Sequence, residues 1–155
     1  MTPEVRPARP LDAAALLALR LEAGWGADEV PDWYEAMRLG ERKMWVAEVD
    51  GKVVAMVALD FVDDDPEVAD GKATAALASL IVTARVARRG LGRRLSLFAE
   101  HQALARGVEV LTLNTRPSNA AALALYEDLG YRTFKRGPRS WGDAVFLRKR
   151  LEAVR

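Results

Sequence analysis

The chain has 155 residues, half of them hydrophobic and 29% charged, with a formal charge of +1. That length suits one domain with its own core, residues 1–155, and the near-neutral balance gives no global drive toward nucleic acid or an anionic membrane. The absence of cysteine excludes disulfides, thiolate metal sites and a thiol nucleophile, and suits a reducing cytoplasm.

Val5–Arg9 reads as a short strand. Leu11-Asp12 opens a helix capped by Asp12, with Leu16, Leu17, Leu19 and Leu21 available for a core-facing stripe. Arg6 and Arg9 precede this apolar stretch, but Glu4 and Asp12 interrupt the pattern of a secretion signal. Ala23-Gly24-Trp25-Gly26 ends the helix, and Pro31-Asp32 starts a second one to about Leu39, stopped by Gly40. Met44–Val49 and Lys52–Leu59 read as strands joined at Asp50-Gly51, a two-residue hairpin signal. The longest uncharged apolar run, Val53 to Leu59, is far short of the roughly 20 residues of a membrane span. An acidic loop follows from Asp63 to Gly71. It reads as a solvated connection, with attraction of a cationic amine as the sharper alternative.

Thr74–Val82 is a mostly apolar strand whose alanines allow close packing. Gly90-Leu91-Gly92 leads into a helix to about Ala105, Val108–Asn114 is the next strand, and Asn119–Leu129 a helix ended by Gly130. Tyr131–Arg136 and Ala144–Arg150 are the last strands. The order βααβββαβαββ describes an α/β (α+β) domain, a mixed sheet flanked by helices.

Chemistry concentrates at two places. Gly90 and Gly92 follow a strand and open a helix. Glycine lets main chain approach an anion, and first-turn amides lack intrahelical partners; such an end binds phosphate oxygens. Arg85, Arg88, Arg89, Arg93 and Arg94 could add charge there. The turn lacks the lysine and serine/threonine of a nucleotide P-loop and the third glycine of a dinucleotide fingerprint. About thirty residues on, Asn119 and Tyr126 lie seven apart, on one helix face. On their own they read as an N-cap and a core-edge aromatic.

Together and in this order, Arg88-Arg89-Gly90-Leu91-Gly92-Arg93 and Asn119 to Tyr131 resemble the two acyl-CoA-binding motifs of the GNAT N-acetyltransferase family. The resemblance spans roughly Thr74 to Leu151. Ala87 stands where the family has glutamine or arginine, and Ala84 where proline is common. The resemblance implies a mainly antiparallel sheet with a splayed central strand pair, Thr74–Val82 and Val108–Asn114. It implies acetyl-CoA as co-substrate, held by Leu80, Ile81, Val82, the turn Arg88, Arg89, Gly90, Leu91, Gly92 and Arg93, and Asn119, with Tyr126 also at the cofactor as the acid that protonates departing thiolate. No metal is implied. The reaction is direct transfer to a primary amine, the acceptor being a protein, peptide or small-molecule amine; a CoA-binding sensor with little turnover is the alternative. A homodimer is compatible with this reading, and neither nucleic acid nor membrane is an expected partner.

Some family members carry a glutamate base on a central strand. Here Thr74–Val82 has no acid, and the corresponding position in the second strand is Asn114, which can position substrate or water but not act as a base. Asp60, Glu109 and a chain of ordered water remain as routes for the amine proton. Trp25, Trp33, Asp60 and Asn114 are candidate acceptor contacts, and Trp141 could border acceptor entry. His101, without companion ligands, reads as a surface or structural residue.

Overall fold

The computed structural model describes residues 2–25, 30–86 and 90–152. Strand β1 (Glu4–Pro7) and a 3₁₀ turn at Pro10–Asp12 precede helices α1 (Ala13–Glu22) and α2 (Val30–Arg38). Strands β2 (Arg42–Val49), β3 (Lys52–Asp60) and β4 (Thr74–Val82) follow, then α3 (Leu91–Ala105), β5 (Val110–Thr115), α4 (Ala120–Asp128), β6 (Arg132–Arg139) and β7 (Gly142–Arg150). They form a seven-stranded sheet in the order β1-β2-β3-β4-β5-β7-β6. Among the described residues only β4 and β5 run parallel. A parallel pair needs a long crossover, and α3 supplies it. Asp50 and Gly51 both take positive φ, 51° and 78°, the mirror-image turn whose twist matches the strands of a hairpin.

The sheet is covered on both faces. Leu91, Leu95 and Ala99 of α3 pack with Val57, Leu59, Leu111, Leu113 and Leu147 on one side. On the other, Leu16 and Leu19 of α1 and Trp33 of α2 pack on Val46, Met56, Ala58 and Ile81. Leu21 is not part of that stripe: it is exposed, and Arg20 turns inward instead. Positions 16, 19 and 20 share the buried side of a 3.6-residue repeat, whereas 21 does not. Arg20 stays buried by laying its guanidinium 5.0 Å from the Trp33 ring centre.

The acidic loop keeps Asp64, Glu67 and Asp70 exposed, yet it is docked on the sheet. Val68 is fully buried against Ala76, Ala144 and Phe146, and its carbonyl accepts from Thr112 Oγ1 at 2.7 Å. Arg139 forms a forked pair with Asp63, and Lys135 pairs with Asp65 and Glu67. Asp70 Oδ1 accepts from the main-chain N–H groups of Lys72, Ala73 and Thr74. The charges that suggested a field over the acceptor are thus largely consumed in holding the loop to β6 and in closing its own turn.

Candidate active site

The sheet opens at its centre. β4 and β5 pair only at Thr74↔Val110, Ala75↔Leu111 and Ala76↔Thr112. Beyond that, β4 continues along β3 to Val82 and β5 along β7 to Thr115. Leu77–Val82 and Leu113–Thr115 therefore border a gap with no strand ladder between them. An irregularity in β4 accompanies the parting. Ala58 pairs with Ala78 and Met56 with Ile81, so Ser79 and Leu80 together stand opposite Val57. This is a β-bulge, which bends and twists a strand, and Ser79 sits in it with φ 53°. The bulge also shifts the alternation: Leu80 and Val82 pack toward α3 and α4, and Ile81 toward α1 and α2.

The glycine turn stands beside this gap. Gly90 caps α3 in the left-handed conformation, φ 77°, which glycine adopts without penalty. A Cβ placed on Gly92 would meet only Leu125 and Leu80, each at an ordinary 3.9 Å. The protein's own packing thus leaves room at Gly92, beside the unpaired edge of β4. Leu91 is buried in the core below. Arg93 forms an ion pair with Asp128 of α4, tying the two helices across the turn. Ala87, Arg88 and Arg89 lie outside the described residues.

Asn119 is the N-cap of α4, its Oδ1 accepting from Ala122 N at 3.2 Å. Tyr126 lies on the inner side of α4, buried, with its ring edge-on to Tyr131 at 5.6 Å. The Ser96 hydroxyl of α3 neighbours its phenol, and Ser96 itself donates to Gly92 O at 2.8 Å. Burial pushes the Tyr126 phenol well above its ordinary value, and the nearby Ser96 hydroxyl offsets part of the rise. The hydroxyl stays protonated throughout the neutral range. Behind it, Tyr131 donates to Glu100 at 2.9 Å, and Lys149 donates to the other oxygen of the same carboxylate at 2.8 Å.

The acceptor candidates separate into two groups. Asp60 ends β3 on the α1/α2 face and accepts from Arg42 Nη1 at 2.7 Å. Burial raises its carboxyl above the ordinary range, while the Arg42 guanidinium pulls it back. Trp33 is buried with Arg20 and Arg42 against its ring, whereas Trp25 is half-exposed beside Arg20. Asn114 is half-buried on the parted stretch of β5, alternating with buried Leu113 and so on the same sheet face as Thr112. Trp141 is exposed in the β6–β7 turn under Arg116, 4.8 Å away. Glu109 is not at the gap. It precedes β5 at the joined end, where its N–H bonds Ala73 O. His101 is exposed on α3, and no metal-binding group of His, Cys, Asp or Glu occurs among the described residues. Two contributors escaped the sequence reading, Ser96 and Arg42. Neither belongs to a motif, and each is identified only by what it touches.

The Acetyltransferase (GNAT) family model matches residues 11–131. The [ribosomal protein bS18]-alanine N-acetyltransferase of Salmonella typhimurium is 47% identical over 57 residues, a stretch covering 37% of this chain and 38% of that protein. The match thus spans little more than a third of that relative. An N-acetyltransferase structure from Staphylococcus aureus Mu50 superposes with a TM-score of 0.81 at 19% identity, covering 98% of this chain and 100% of the other. The structure of yncA from Salmonella typhimurium with its cofactor acetyl-CoA gives 0.80 at 21% identity, covering 100% and 97%. The fold is shared with both, and the chain belongs to the GNAT acetyltransferase family.

Proposed function

We propose that this chain is an acetyl-CoA-dependent N-acetyltransferase that transfers acetyl directly to the α-amino group of a peptide or small molecule. The observation that carries the reading is the parting of β4 from β5 beside the glycine start of α3. Main-chain groups of Leu80, Ile81 and Val82 supply hydrogen bonds to the pantetheine amides and polarise the acetyl carbonyl. The free first-turn amides of α3 and the space over Gly92 receive pyrophosphate oxygens. Asn119 contributes its amide NH₂ beside the pantetheine arm, its Oδ1 being used in the cap.

In the transfer, the neutral amine forms a C–N bond to the thioester carbon and the C–S bond breaks. One amine proton leaves to solvent, the departing thiolate takes its proton from the Tyr126 hydroxyl, and the phenolate so formed regains a proton from solvent. No covalent acyl-enzyme forms, since the chain has no cysteine and attack is direct.

The acceptor class follows from what the strands lack. β4 and β5 carry no acid, and Asp60 is committed to Arg42. An enzyme without a base at the gap depends on amine that is already neutral. Near pH 7 an α-amino group with pKa about 7.7–8.0 is roughly one-tenth neutral, a lysine near 10.4 less than about one-thousandth. The Salmonella relative, named for N-acetylation of an alanine, supports the same acceptor class. Asn114 then orients the amine or its water.

Calorimetric titration of acetyl-CoA tests the donor site. Wild type should bind, and Gly92→Glu, whose Cβ makes only ordinary contacts with Leu125 and Leu80, should fold normally yet lose at least about tenfold in affinity, or 1.4 kcal/mol. Equal affinity in both proteins would overturn the placement.

A further inference from the structure

We propose that Arg42 is a positioning residue for the gap, holding Ser79 in the left-handed conformation that forms the β4 bulge. This rests on the gap being the acyl-donor site. Ser79 is not glycine, so its φ of 53° is a strained conformation that persists only where the surroundings enforce it. Arg42 provides that enforcement. Its Nη2 donates to Ser79 Oγ at 2.8 Å and its Nη1 to Asp60 Oδ1 at 2.7 Å. Its guanidinium lies 4.9 Å from the centre of the Trp33 ring. One planar fork is thus anchored to β3, to the bulge and to α2, geometry a lysine ammonium does not reproduce.

The arrangement carries a penalty that packing alone does not explain. Arg42 is only 6% exposed, and its Nε is buried with no hydrogen-bond partner, an unfavourable state for a donor. Without the strut, residue 79 would relax toward extended backbone and the bulge would lose its cause. A one-residue slip sends every later side chain to the opposite face. Leu80, Ile81 and Val82, which the bulge divides between the two cores, would then be misplaced, and the open edge of β4 with them.

Glycine at position 79 adopts the left-handed conformation unaided, which gives a rescue that a purely structural or acceptor-binding Arg42 would not show. Two readouts apply. In the unliganded protein, hydrogen exchange at Ile81 and at Thr83, whose N–H bonds Val54 O, should accelerate in Arg42→Gln and return toward wild type in Arg42→Gln/Ser79→Gly. In calorimetry, Arg42→Gln should bind acetyl-CoA at least about fivefold more weakly, matching the loss of a held strained residue, and the double variant should recover most of that loss. Arg42→Lys serves if Arg42→Gln fails to fold. Exchange unchanged in the single variant, or a double variant no better than the single, overturns the proposal. If wild type fails to bind acetyl-CoA, the donor-site reading fails, and the exchange data still decide whether Arg42 holds the bulge.

Discussion

Replacing Tyr126 by phenylalanine separates packing from proton donation. The ring keeps its edge-on contact with Tyr131 and its place in the core. Only the hydroxyl beside Ser96 is lost. Ser96 is not orphaned, because it still donates to Gly92 O. The stability loss should therefore be no more than about 1 kcal/mol, the net worth of one neutral hydrogen bond. The kinetic effect should be larger. General-acid assistance is typically about 10²–10⁴-fold, and water in the gap can replace part of it, so kcat should fall at least about tenfold. Acetyl-CoA affinity should hardly move, since an interaction made only in the transition state is removed. Single-turnover acetyl transfer to one α-amine acceptor measures the chemical step apart from product release. Equal single-turnover rates in wild type and Tyr126→Phe would make Tyr126 a packing residue and refute the assignment. Because burial holds the phenol above its ordinary value, its ionisation should leave no alkaline limb in the working range.

Four further outcomes follow from the same contacts. The rate at low acceptor should rise with pH until the acceptor's own pKa, tracking neutral amine; an additional enzyme limb abolished by Asp60→Asn would reinstate Asp60 as the base. Neutralising Asp63 and Asp65 together should leave acceptor KM near wild type and change stability by at most about 1 kcal/mol per pair, because these carboxylates are paired with Arg139 and Lys135; a several-fold KM increase flattened by salt would restore the steering role. Asp12, buried and bonded to Arg6 and to Arg9 N, has its carboxyl lowered by Arg6 first. Asp12→Asn should lose about 2 kcal/mol at neutral pH, and the deficit should vanish as pH falls below the ordinary carboxylate value of about 3.9 and through the lowered folded value, which denaturant titration across pH would show. Glu100→Ala should destabilise more than Tyr131→Phe in thermal unfolding, about 3–5 kcal/mol against about 1, because it leaves both Lys149 and the Tyr131 hydroxyl unpaired.

Strand β4 and helix α3 were legible almost to the residue, because an uninterrupted apolar run and a glycine start mark them. The gap was legible only through the order of the two motifs. Its cause was not, since a bulge at Ser79 has no signature when a non-glycine residue is forced into positive φ by a contact from another strand. Arg42 was hidden for a related reason. A plain hairpin from Asp50-Gly51 sets Arg42 opposite Leu59, and the register shift at Ala47/Glu48 moves it opposite Asp60. The acidic loop misled because composition counts its carboxylates and cannot see that Arg139 and Lys135, some seventy residues on, arrive to pair with them. Tyr126 was legible as a position, but its neighbour Ser96 lies on a different helix.

The most direct measurement is acetyl transfer itself. Purified protein should be incubated with acetyl-CoA and matched peptides offering a free α-amine, a blocked α-amine with lysine, or neither, and products read by mass spectrometry with thiol release. The account predicts acetylation of the free α-amine, with lysine modified much more slowly near neutral pH. Acetyl-CoA binding with no acetylated amine of either kind would contradict it and leave a domain that binds the donor without turning it over.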